Sequence, residues 1–344
     1  MSTLKGNSGN DIWGWTDPGD GTEYVLMGLD NGTAFLRVSD PENPVLVGRL
    51  PTQTRSSTWR DIKVYMNHAF IVADSAGAHG MQVFDLTRLR TGGTDQRFEA
   101  DTVYDSFDSA HNIAIDESSG FAYVVGSETC SGGLHIVNIS DPLNPFSAGC
   151  HGTEGDVHDA QCVRYAGPDT DYTDAEICFN ASETSIAIVD VSDKSATQTL
   201  AVLSYSNLGF THQAWLDDSH QYLVVNDEAD EIEFEKNTAT IVIDVRDLNA
   251  PIHLYTHQHQ TRSIDHNLFV RGNRIYEANY TAGLRILEFS DLASDTLREV
   301  AFFDTYPENN DRRFDGAWGV YPFFPSGIIA VSDVDRGLFI VIPE

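Results

Sequence analysis

No apolar run in this chain of 344 residues approaches the ~20 residues needed to cross a bilayer. The N-terminus, MSTLKGNSG, has neither an apolar signal core nor a cleavage site, and the chain ends at Pro343-Glu344 without an anchor segment. No nucleophile elbow, phosphate loop, dinucleotide fingerprint or HExxH motif is present, which removes the enzyme classes built on them. Positive charge is scarce: 21 Lys and Arg stand against 52 Asp and Glu, a formal charge of −31. Phosphate binding needs clustered Lys and Arg to release counterions, so nucleic acid is a poor partner. An acidic surface of this kind suits high salt, divalent cations or simple solubility.

Helical periodicity is also lacking. In its place stands a repeat. Trp13, Trp59, His111, His158, His212, His266 and Trp318 recur at roughly fifty-residue spacing, each opening a short strand-like run such as WRDIKV, HNIAI or HNLFV. A second run follows in register, reading GTAFLRVSD from Gly32, GLHIVNISD from Gly133, SIAIVDVSD from Ser185 and GLRILEFSD from Gly283. Repeats of this length, dense in short β-runs, predict an all-β, seven-bladed β-propeller. The expected single domain spans residues 1–344, with blades near 10–50, 58–107, 109–151, 157–205, 210–259, 264–305 and 316–344. Each blade reads as four strands, and Asp-Pro or Asn-Pro turns separate the third from the fourth. The seventh unit ends after its third strand, so the last blade is expected to be incomplete and its edge unpaired.

Four cysteines allow three pairings. The repeat favours Cys130–Cys150 and Cys162–Cys178, each within one blade, and two disulfides would imply an oxidising compartment. Four buried free thiols are the other reading, since cysteine packs as a small hydrophobe.

Because the first strand of a propeller blade is innermost, its opening residues should ring one mouth of the central channel. The expected ligand-binding rim is Trp13, Trp59, Arg60, His111, His158, His212, His266 and Trp318. Four successive histidines could hold copper, zinc or iron on neutral imidazoles. They could equally bridge neighbouring blades by hydrogen bonding, in the slot that tryptophan fills elsewhere. Carboxylates crowd two loops and suggest calcium: Asp169, Asp171 and Asp174 in one, Asp227, Glu228 and Asp230 in the other. Arg60 and Arg262 are candidate counter-charges for the second loop. A further excursion, residues 85–110, is long and polar. The histidines of HLYTHQH, ending at His259, are expected to be exposed on an outer strand.

Motifs from Asn10 onward, including NDIWGW, AHNIAID, GGLHIVNISDPLNP, HDAQCVRYAGPD, THQAWL, DHNLFV and GAWGVYPFFPSG, resemble those of the choice-of-anchor B proteins, built from LVIVD-type propeller repeats. That resemblance implies an extracellular or cell-surface location and attaches no activity. The sequence therefore supports a surface module that binds a glycan or protein ligand and is stabilised by a divalent cation. The alternative is a metal-dependent enzyme, such as an oxidoreductase, with the histidine ring holding the metal and Asp159, Asp265 or Glu228 handling protons.

Overall fold

The computed structural model describes residues 1, 3–91 and 93–343. The chain is a seven-bladed β-propeller of antiparallel sheets. The innermost strands, blades one to seven, are Gly9–Thr16, Arg60–Tyr65, Asn112–Asp116, Asp159–Arg164, Thr211–Leu216, Asn267–Arg271 and Ala317–Tyr321. Each pairs with the strand that follows it in sequence, so every blade is a meander running outward from the axis.

The second and third strands are almost fully buried, as in Glu23–Leu29 and Ala239–Asp244, because neighbouring blades cover both of their faces. This explains why they are runs of Val, Ile, Leu and Phe rather than alternating patterns. The core is correspondingly divided, with one apolar cluster in each cleft between adjacent blades. Between blades four and five, Phe179 and Ile188 pack with Leu223 and Ile241. Between one and two, Phe35, Leu26 and Trp15 meet Ile71 and Phe84. Deleting one such aromatic costs about 3–5 kcal/mol by large-to-small precedent. In five blades the third-to-fourth pairing slips by one residue at the same place, for example between Ile136 and Val137. Such a bulge sharpens the twist of the outer strand.

The 85–110 excursion is more ordered than its polarity suggests. It forms a 3-10 turn at Leu86–Thr91, then lays Gln96–Arg97 parallel against the outer strand of blade one, and returns as Thr102–Tyr104, the fourth strand of blade two. Phe98 anchors it, 5.0 Å from the Phe84 ring and 6.1 Å from Phe35. The excursion thus covers an edge that would otherwise present unpaired backbone.

Blade seven has three strands, ending at Gly337–Val341, with no fourth partner among the described residues. The ring nevertheless closes, mainly through side-chain packing. Ile12, Met27 and Leu29 of blade one pack against Phe324, Ile328 and Ala330 of blade seven, and Leu4 inserts into the same cluster. The Gly9 amide donates to the Val334 carbonyl at 2.8 Å.

Both expected disulfides are present, Cys130–Cys150 and Cys162–Cys178. Cys162 and Cys178 face each other directly on the first two strands of blade four. Replacing that pair by alanine should lower the unfolding free energy by about 3 kcal/mol, the loop-entropy value for closing a loop of this order. Guanidinium denaturation of the double variant checks it.

Candidate metal centre in the channel

Strand pairing sets the frame of the ring. Asn112 pairs Val125, Asp159 pairs Ala181, Gln213 pairs Asn226, Asn267 pairs Ala278 and Gly319 pairs Ser332. His111, His158, His212, His266 and Trp318 therefore occupy one equivalent position, just before those residues. Counting along the second strand in the same way, Ile12 opposite Met27 and Ile62 opposite Ile71 match Ile113 opposite Val124. The ring residues of blades one and two are therefore Asn10 and Arg60. Trp13, expected in the ring, lies three residues further along its strand. Trp59 precedes the ring position but still lines the same mouth.

This frame resolves the channel into layers. The upper chamber, about 760 Å³, is walled by Trp59, His111, His158, His212, His266 and Trp318, with Phe210, Glu228, Tyr280 and Phe314 around them. Below lies a waist of only about 20 Å³, lined by Asp11, Asp61, Lys63, Asn112, Asp159, Gln213 and Asn267. That is little more than room for one water. A lower chamber of about 520 Å³ is lined by Trp13, Ala114, Gln161, Trp215, Tyr321 and Phe323. Trp13 belongs to that opposite end.

Side chains in and beside the waist cross to the next blade. Asn10 Nδ2 donates to the Thr58 carbonyl at 3.1 Å, and Asp61 accepts from the Ile113 amide at 2.7 Å. Asn112 Nδ2 donates to the His158 carbonyl at 2.9 Å, while Gln161 accepts from the Leu216 amide at 2.7 Å. Gln213 accepts from the Leu268 amide at 2.6 Å and donates to Asp159 at 2.9 Å; Asn267 donates to the Trp318 carbonyl at 3.1 Å. Lys63 is buried among carboxylates, 2.6 Å from Asp61 and 3.8 Å from Asp11, and its ammonium lies 4.6 Å from the Trp13 ring centre. Burial raises Asp159 to about 6, despite Lys63.

Above the waist the four imidazoles stand side by side, with ring centres 4.2–4.3 Å apart. Their two nitrogens do different work. His158 Nδ1 bonds the His212 carbonyl at 2.9 Å, His266 Nδ1 bonds the Trp318 carbonyl, and His111 Nδ1 sits 3.1 Å from Asp74. A donated Nδ1–H leaves the Nε2 lone pair as the free acceptor. His212 is held differently. Asn226 occupies the His266 carbonyl, and His212 Nδ1 has no partner although the residue is 3% exposed. Local backbone makes room for these rings. His212 and Trp318 sit at register shifts of their strands, which re-aim a side chain. Gly126, at φ +61, lies where a Cβ would come within 2.6 Å of His111 Cβ.

Glu228 completes the cluster. Its carboxylate lies 3.8 Å from His212 Nε2 and 3.6 Å from His266 Nε2, and one ligand atom from each residue falls within 4.8 Å of the others. Tyr280 donates its hydroxyl to Glu228 at 2.6 Å, and its ring lies tilted against His266 with centres 4.6 Å apart. Two imidazoles and one carboxylate facing an open chamber are the donor set of catalytic zinc and of non-haem iron(II), which keep coordination positions free. Burial first, and then neighbouring imidazoles, hold His158 and His212 well below the usual histidine range; burial takes His266 to about 3. The rings are therefore neutral, as metal ligation requires. Burial pushes Glu228 up to about 7, against the Tyr280 hydrogen bond.

The other expected residues scatter. Asp227 of the acidic run is consumed by the amides of Gly209, Phe210 and Asp230 and by the Tyr205 hydroxyl. Asp230 lies deeper, fully buried. In the other loop Asp169 accepts from the amides of Asp171 and Leu248, while Asp171 and Asp174 are exposed. Arg262 pairs with Asp311, and Arg60 is buried against the Leu29 carbonyl and His79, so neither compensates the acidic run; Lys236 does, through Asp230. His259 is buried rather than exposed, bonding Thr240 and lying 3.4 Å from Glu277. Tyr280 and Phe210 were missed from sequence because neither sits at a repeated position.

Among known families, the LVIVD repeat model matches residues 109–151. No curated protein matches the chain. Solved structures share its fold at low identity. The Cps50 (Swd1) β-propeller domain of Myceliophteria thermophila superposes with a TM-score of 0.61 at 10% identity, covering 99% of both chains. A putative 6-phosphogluconolactonase from Bacteroides uniformis gives 0.62 at 12% identity over 84% of each chain. The periplasmic gluconolactonase of Pseudomonas aeruginosa gives 0.59 at 11% over 86% of each. These likenesses, with the LVIVD match, define a repeat β-propeller.

The opposed shifts of His266 and Glu228 predict the pH response of metal-free protein. A depressed imidazole contributes stability that is present above about 6.5 and lost as pH falls towards 3. A raised carboxyl contributes stability that is present below about 4.5 and lost as pH rises through about 7. In chelator, denaturation of His266→Gln across pH 4–7 should show a shallower acid-side loss than the parent. Glu228→Gln should remove the opposing decline towards pH 7.

Proposed function

We propose that the whole chain is one extracellular propeller domain of the choice-of-anchor B type, whose upper chamber binds a small oxygen-rich ligand at a transition metal. The ligands are His212, His266 and Glu228, and the donor set favours zinc or iron(II). The observation that carries this reading is the convergence of those three side chains within 4.8 Å at the base of an open chamber. His158 and His111 flank the site, and Trp59 and Phe314, 41% and 53% exposed, offer aromatic faces at its rim. The paired cysteines and the formal charge of −31 support an oxidising, extracellular setting.

Catalysis is the second reading, favoured by Glu228. In that reading the imidazoles alone hold the metal and Glu228 stays off it, so that a carboxyl raised to about 7 and hydrogen-bonded by Tyr280 is poised to exchange a proton near neutrality. The metal would supply a Lewis acid at its open position. Simple binding and turnover differ in what Tyr280→Phe does: turnover would fall in the variant, whereas ligand affinity would change little.

Elemental analysis by mass spectrometry of untagged protein, purified without chelator, tests the shared premise. We expect near-stoichiometric zinc or iron, lost in His212→Ala with the circular dichroism spectrum retained. Absence of metal even after incubation with zinc or iron(II) would reject the reading and leave the imidazoles as struts between blades.

A further inference from the structure

Directly behind the histidine cluster lies a second group of side chains that the upper chamber does not use. Asp230, Glu231 and Asp265 are 0%, 0% and 1% exposed. One carboxylate oxygen from each lies within 4.8 Å of the other two. Asp265 accepts from the Asp227 amide at 2.8 Å through one oxygen, and Glu231 accepts from the Asp265 amide at 3.3 Å. The remaining oxygens, Asp230 Oδ1, Glu231 Oε2 and Asp265 Oδ2, have no hydrogen-bond partner. The cation paired with the group is Lys236, on the other oxygen of Asp230.

A buried carboxylate without a partner is among the costliest arrangements a protein can hold. Here three of them face one ammonium. A bound divalent ion removes the same penalty, because three carboxylates balance one ammonium and two positive charges.

We propose that Asp230, Glu231 and Asp265 form a buried site for a divalent calcium-type cation, distinct from the histidine centre. The donors are all hard oxygens, without nitrogen or sulfur, which selects against zinc and copper. The three unpartnered carboxylate oxygens supply a hard-oxygen core, and calcium's flexible coordination lets the other oxygens of the group complete it. Magnesium demands closer octahedral geometry and gives up its waters reluctantly, which a fully buried group of carboxylates disfavours.

The ion has a structural task. Asp227 precedes Glu228, and Asp265 precedes His266. The hydrogen bond from the Asp227 amide to Asp265 ties those two backbone segments together at the cation. Calcium therefore fixes the strand ends that present two of the three residues at the mouth. The site stands on its own observations whether or not the mouth holds a metal.

Calorimetric titration of the full chain with calcium chloride, after dialysis against EGTA, tests the proposal together with thermal unfolding in EGTA and in calcium. One calcium should bind per chain and raise Tm by several degrees, and magnesium chloride should bind at least tenfold more weakly. Glu231→Gln should weaken calcium binding at least tenfold while unfolding in EGTA no earlier than the parent, since it removes an unpaired charge. Asp171→Asn, on the exposed loop, should retain the full calcium response. So should His212→Ala, which separates this site from the histidine centre. Parent protein with no calcium heat and no rise in Tm overturns the proposal, as does a Glu231→Gln variant with undiminished affinity. If Glu231→Gln fails to fold, Asp265→Asn is read by the same criteria.

Discussion

The structure depends on one recurring interaction: in six of the seven blades, a polar side chain of the innermost strand or its entry reaches across to the backbone of the next blade. Asn10, Asp61, Asn112, Gln161, Gln213 and Asn267 make it in turn. The backbone groups they satisfy face the channel axis, where no further strand can pair them, and buried orphans of that kind are not tolerated. The requirement brings seven polar or aromatic positions to a common axis, narrows the channel to a waist, and divides it into two chambers. Apolar packing between blades supplies most of the stabilisation. Only the ring of polar crossings decides where the side chains of the axis point.

The histidines illustrate how scaffold and site share residues. On Nδ1 they are struts: His158 and His266 each bond a carbonyl of the following blade. On Nε2 they face the upper chamber with Glu228 between His212 and His266. Anchoring and donor capacity, which looked like alternatives, occupy opposite edges of the same ring. The anchored edge also orients the free one, the usual second partner of a metal-bound imidazole. His212, whose Nδ1 has no hydrogen-bond partner, lacks that anchor.

Much of this was legible in advance. The repeat of strand-like runs announced seven blades, because strands buried on both faces must be continuously apolar. The pairing of cysteines followed from their place within single blades. The ring was legible in five blades, where histidine or tryptophan marks its position. It was misplaced in blade one, because Trp13 imitates the marker while Asn10 holds the slot; similarity of residue type is weaker than strand register, which a single-residue slip reverses. The acidic run was visible as a charge anomaly. Its division into a satisfied Asp227, a chamber-facing Glu228 and a buried Asp230 was not, since adjacent residues in a turn point in unrelated directions.

By itself, then, the sequence determined the architecture, the blade number and the candidate histidines, because these rest on local periodicity repeated many times. Tertiary structure alone decided the chemistry. Glu228 meets His212 and His266 from just beyond the second strand of blade five, and Tyr280 reaches Glu228 from blade six. Asp265 joins Asp230 and Glu231 across the same cleft. Each of these encounters is between residues far apart in the chain, on single occurrences that no repeat marks, and only closure of the ring sets their distances.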